Sequence, residues 1–177
     1  IGRKNEFAIS DQSFTASLWF TRNPGSADGQ ARRLISAGGG SDQKAGWALW
    51  LQKDGTGLTF RVSDGDSGSD LTAKYEKLLS GEWHHVAVIV ERGSSRMQLF
   101  INGVLAAEKV AAALLEGKTI GASSGLCIGR NSDDQQHHAG KIDDVVLWRR
   151  ALLPEEIERI FQSEQSAGGL FELDPLD

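Results

Sequence analysis

The stretch EWHHVAVIVERGSSRMQLFINGVL, residues 82–105, decides the fold. Its first run alternates Val86, Val88 and Val90 on one face, and β-branched residues suit a pleated surface, so it reads as a strand. After Gly93-Ser94-Ser95, Met97, Leu99 and Ile101 alternate with Gln98, Phe100 and Asn102. Asn102-Gly103 then supplies the pair that tolerates positive φ at both central positions of a type I′ turn, and the chain from Val104 returns as a third antiparallel strand. A lone hairpin is marginal in water. The rest of the chain therefore has to complete this sheet and supply a second one to bury its apolar face.

Working outward, the same period recurs. Phe14, Ala16, Leu18 and Phe20 alternate with Thr15, Ser17, Trp19 and Thr21; Trp47, Leu49 and Leu51 alternate with Ala48, Trp50 and Gln52. Lys53-Asp54-Gly55-Thr56-Gly57 is a hairpin signal, with Leu58, Phe60 and Val62 on the returning strand. Leu34 with Ile35, and residues 126–128, read as short strands ending in glycine-rich loops. SDGDSGSD, residues 63–70, reads as one exposed loop; its spacing fails the EF-hand pattern. Residues 141–148 carry apolar side chains on both faces, which predicts a central strand. Residues 110–115 fit either a short helix or an irregular crossover. Pro154 followed by Glu155 and Glu156, with Ile157, Ile160 and Phe161 on one stripe, predicts one short amphipathic helix. About ten strands and a late helix imply an all-β fold, a two-sheet antiparallel jelly-roll sandwich.

At 177 residues, 40% hydrophobic and 24% charged, the chain fits a single domain over 1–177, with its core at about 7–163 and a tail at 164–177. The net charge of -5 argues against nucleic acid as a partner, and no apolar run approaches the ~18 residues of a membrane span. Cys127 is the only cysteine, which excludes an intrachain disulfide and a thiolate cluster. The chain opens at Ile1 without a methionine or a leader-like segment, which reads as one module, covalently part of a longer multidomain protein.

FTASLWF, GEWHHVAVIV, MQLFINGVL, LCIGR and GKIDDVVLWRRALLPEEI, taken in order, resemble the landmarks of laminin G-like domains of the concanavalin A-like superfamily. The last of them also resembles a pentraxin segment. The resemblance implies a jelly roll in a secreted, periplasmic or cell-surface protein, commonly with calcium at one rim. On the pentraxin pattern the metal ligands would be Asp42, Gln43, Asn131, Asp133 and Asp134, since calcium takes six to eight oxygens and two loops can supply them. Trp83 and Trp148 sit in these landmarks and are expected to pack in the core.

Other chemistry is weighed residue by residue. His84 and His85 are adjacent on a strand, point to opposite faces and cannot share an ion; His137 and His138 lack a third ligand. Asp143 and Asp144 are consecutive and are expected on opposite faces, one turned inward, so they do not form the paired carboxylates of a glycosidase. No nucleophile elbow or phosphate loop occurs. The expectation is a non-catalytic module that recognises a glycan or glycoconjugate, with calcium assistance. A protein-interaction, adhesion or spacer module is the alternative, and a glycoside hydrolase the remote one. Trp50, alternating with Ala48 and Gln52, is the candidate for sugar stacking.

Overall fold

The structure, a computed structural model, describes residues 11–25, 29–38, 44–78, 80–120 and 125–168. The strands are β1 (Phe14–Phe20), β2 (Arg32–Gly38), β3 (Gly46–Leu51), β4 (Gly57–Ser63), β5 (Gly68–Lys74), β6 (His84–Glu91), β7 (Arg96–Ile101), β8 (Val104–Val110), β9 (Leu126–Ile128) and β10 (Ile142–Trp148). Two helices, α1 (Ala112–Leu115) and α2 (Pro154–Gly168), complete the order. The first sheet runs β10-β1-β6-β7-β8 and the second β5-β4-β3-β2-β9, each five-stranded and antiparallel throughout.

The alternating residues meet between the sheets. Phe14, Leu18, Val86, Val88, Val90, Met97 and Leu99 from the first sheet bury against Trp47, Leu49, Leu58, Phe60 and Val62 from the second. Trp47, 1% exposed, lies 5.2 Å from Phe14 and 6.4 Å from Phe60, ring to ring. The β7–β8 hairpin turns as its dipeptide requires, with Asn102 at φ 50 and Gly103 at φ 78. A Cβ on Gly103 would sit 2.9 Å from Cδ1 of Phe161, so this turn must be glycine for α2 to seat. Within residues 110–115, Val110 ends β8 and Ala112–Leu115 form the short helix α1, whose Leu114 and Leu115 enter the core.

The outer face of the first sheet is also apolar. Ala87, Ile89 and Phe100 meet Leu152 and Ile157 beneath α2, with Trp148 and Ile160 packed against them. The helix starts where Pro154 and the acidic pair predict. Glu156 accepts from Leu153 N at 2.9 Å, and the Arg150 guanidinium holds its carboxyl well below the usual range. It continues to Gly168, into the stretch read as a tail.

Two local readings are corrected. Among the described residues β10 is an edge strand, paired with β1 alone. Its two apolar faces arise because Val145 and Leu147 join the inter-sheet core while Trp148 joins the cluster under α2. Residues 63–70 are not one loop: Ser63 ends β4 fully buried, and Gly68, Ser69 and Asp70 begin β5. The turn between them is tied by Asp64 Oδ1, which accepts from Asp66 N and Ser67 N at 3.0 and 2.7 Å. β5 went unread because Leu71 and Ala73 are its only buried residues.

Candidate functional site

Of the predicted calcium ligands, Asp42 and Gln43 lie outside the described residues. Asn131, Asp133 and Asp134 sit together in the loop after β9. The Asn131 Oδ1 accepts from Asp133 N at 3.1 Å and Gln135 N at 2.7 Å. Asp133 is paired with Lys44 Nζ at 2.5 Å, and Asp134, at φ 59, with Arg130 at 3.3 Å. The oxygens are thus committed to backbone N–H groups and to cationic side chains. A calcium ion at this rim would have to displace Lys44 and Arg130, and among the described residues no group of three or more His, Cys, Asp or Glu is placed to hold a metal.

Trp50 is half-buried on the outer face of the second sheet, as alternation with Ala48 and Gln52 predicts. Cross-strand register sets Arg33, Trp50, Thr59 and Thr72 in one row over β2, β3, β4 and β5. The Arg33 guanidinium carbon stands 4.3 Å from the Trp50 ring centroid. Arg33 Nε donates to Gln136 Oε1 at 2.8 Å, which locks the guanidinium against the indole. Burial, with Arg61 nearby, lowers the Arg33 pKa to about 10, so it stays charged at neutral pH. The hydroxyls of Thr59 and Thr72 are 3.0 Å apart, and Gln52 Nε2 donates to Thr59 Oγ1 at 3.3 Å. Beside them a depression of about 370 Å³ is lined by Trp50, Gln52, Lys53, Asp54 and Thr59 with Ala31. The bracing arginine was missed from sequence because it comes from another strand.

The histidines fall as their spacing requires. His84 faces inward against Phe20 and Tyr75, ring centroids 5.8 and 6.5 Å away. His85 faces outward, its Nε2 2.7 Å from Ser17 Oγ and its ring 5.4 Å from Trp19. Burial lowers the His85 pKa to about 4. His137 Nε2 donates to Asp134 O at 2.9 Å, and His138 Nε2 to Thr21 O at 2.7 Å.

Two expectations fail at the far end of the first sheet. Trp83 is not core but 43% exposed: it precedes β6 and belongs to neither apolar cluster. Asp143 and Asp144 do not diverge, and neither is turned inward; both are exposed. A β-bulge opposite Ser17 and Trp19, with Asp144 at φ 48, breaks the alternation. Both line one cavity of about 410 Å³ with Trp19, Trp83, Glu164 and Gln165.

This topology defines a class, the two-sheet jelly roll of concanavalin A-like type, with a helix laid over one sheet. Residues 3–158 match the Laminin_G_3 model, described as the concanavalin A-like lectin/glucanases superfamily, and the chain belongs to that family. The CBM40 of the Ruminococcus gnavus IT-sialidase superposes with a TM-score of 0.68 at 18% identity, covering 86% of this chain and 84% of that one. The same CBM40 has been solved bound to α2,3-sialyllactose. A native heptameric SAP-like pentraxin from Limulus polyphemus superposes with a TM-score of 0.64 at 17% identity, covering 87% of this chain and 71% of that one. The botulinum neurotoxin serotype G binding domain gives 0.67 at 15%, with 90% of this chain but only 38% of that one covered. No curated protein sequence matches the chain. At such identities the likeness carries the fold.

Proposed function

We propose that this chain is a non-catalytic binding module for a glycan, seated on the outer face of the second sheet against Trp50. The observation that carries this reading is the half-buried indole fixed by Arg33 at 4.3 Å beside a depression edged with amide, hydroxyl and charged groups. An indole face suits the apolar face of a pyranose, and rigid aromatic anchors lose little entropy on binding. A glycan-binding neighbour, the CBM40 solved with sialyllactose, supports the same reading and makes α2,3-sialyllactose the first probe. The module would belong to a longer extracellular, periplasmic or cell-surface protein. No helix among the described residues is long and apolar enough to cross a membrane.

The test is a glycan array followed by titration of hits against Trp50→Ala and Thr72→Val. Trp50→Ala is expected to weaken binding by about tenfold or more, the ~1–3 kcal/mol of one stacked ring. An array without hits, or hits indifferent to Trp50→Ala, would move the weight to a protein-interaction module.

Calcium at Asp42, Gln43, Asn131, Asp133 and Asp134 is a separate proposal. If it holds, calcium but not magnesium raises the melting temperature of chelator-stripped protein, and Lys44→Ala, by releasing Asp133, enlarges the rise. No shift in either protein would remove calcium from the module.

A further inference from the structure

The cavity at the end of the first sheet is chemically unlike the Trp50 face. Its walls are two indoles, Trp19 and Trp83, and its polar groups are Asp143, Asp144, Glu164 and Gln165, so acceptors and negative charge dominate. Several acidic side chains elsewhere are neutralised: Asp64 by Lys118, Asp70 by Arg61, Asp133 by Lys44, Asp134 by Arg130 and Glu156 by Arg150. Around this cavity they are not. Asp143 takes a hydrogen bond from Asp144 N at 2.9 Å, Glu164 takes one from Trp19 Nε1, and among the described residues none of the three carboxylates has a cationic partner. Burial pushes the Glu164 carboxyl up, against the hydrogen bond from Trp19, and the nearby Asp144 charge adds to the rise. The cavity therefore holds repulsion that a cation would relieve.

The cavity is also built. Phe161 stacks on Trp19 at 5.6 Å and 21°, fixing one indole wall. The bulge at Asp144, in a left-handed conformation at φ 48, turns two consecutive carboxylates toward one opening. The carboxylates are not grouped as metal ligands. Two indole walls with dispersed negative charge suit a cation whose charge is spread over an alkylated surface.

We propose that this cavity is a second binding site, independent of the Trp50 face, for an alkylammonium group held against Trp19 and Trp83 and neutralised by Asp144 and Glu164. The test titrates the folded chain with tetramethylammonium chloride and, separately, n-butylammonium chloride, following the tryptophan indole N–H signals in a nitrogen–proton correlation spectrum. Sodium chloride at equal ionic strength and neutral tert-butanol are the controls. Saturable shifts of Trp19 and Trp83 with an ammonium probe, and not of Trp50, are expected. Asp144→Asn keeps a residue type that tolerates left-handed φ and should weaken binding by about fivefold, as should Trp83→Ala. Saturation by tetramethylammonium alone would assign a quaternary head group, and preference for n-butylammonium a primary amine such as a lysine side chain. Equal shifts with salt or tert-butanol, no saturable shift with either ammonium probe, or unchanged binding by Asp144→Asn would overturn the site.

Discussion

The two outer faces of this sandwich have opposite fates. Over the first sheet, α2 buries Phe100 to 1% and Ile157 to 0% exposure, giving the sheet apolar neighbours on both sides. Over β3, β4 and β5 of the second sheet no helix of the described residues lies, and the row Arg33, Trp50, Thr59, Thr72 meets solvent or the loop after β9. The difference is written in the outward residues. Ala87, Ile89 and Phe100 can only be stable when covered, whereas Thr59, Arg61, Asp70 and Thr72 satisfy one another. A face that completes its own hydrogen bonds is free to receive a ligand; a face that needs a lid is structural. The sharpest attack on this contrast is a pair of aromatic truncations. Phe100→Ala should cost ~3–5 kcal/mol in denaturant melts, as a fully buried ring does, and Trp50→Ala about 1 kcal/mol. Equal costs would erase the distinction between the faces.

Acid should loosen the covered face first. His85 is 0% exposed beneath Trp19 and Phe161, and burial lowers its pKa from 6.5 to about 4. The folded value lies below the unfolded one, so the unfolded chain binds the extra proton first. Stability from this group is therefore complete above pH 6.5 and is lost as pH falls toward 4, by about 3 kcal/mol in all. Urea midpoints measured from pH 7 to pH 4 should fall accordingly, and His85→Gln should flatten that part of the curve. An unchanged slope in the variant would show that acid acts elsewhere, for example at His138, whose pKa burial also lowers.

Sequence made most of this architecture legible because strand period and turn chemistry are local. Val86, Val88 and Val90, the Asn102-Gly103 turn and the Pro154-Glu155-Glu156 start all carry their meaning within a few residues. Trp50 was found the same way. What escaped depends on distant partners. Lys44 reaches Asp133 and Arg33 reaches Gln136 only after folding, so neither the compensated rim nor the braced indole had a local signal. β10 looked central because helix cover imitates a second neighbouring strand in its apolar pattern. The Asp144 bulge inverted the expected faces of a strictly alternating stretch, and one extra residue is enough to do so.

The smallest expected effect tests the least obvious part of the contrast, the uncovered end of the first sheet. Trp83 resembles a core residue by its place in the motif GEWHHVAVIV, and a core tryptophan truncated to alanine would cost ~3–5 kcal/mol. At 43% exposure, outside the clusters that hold Trp47 and Trp148, its removal opens no enclosed void. Trp83→Ala should therefore melt within about 1 kcal/mol of wild type. A cost in the core range would mean that the indole is packed under the helix end. It would also mean that the cavity shared with Trp19, Asp143 and Asp144 is filled by its own wall, which removes the room for an alkylammonium ligand. A near-silent melt together with weakened ammonium binding separates the two roles, because only a residue that touches the ligand and not the core gives both results.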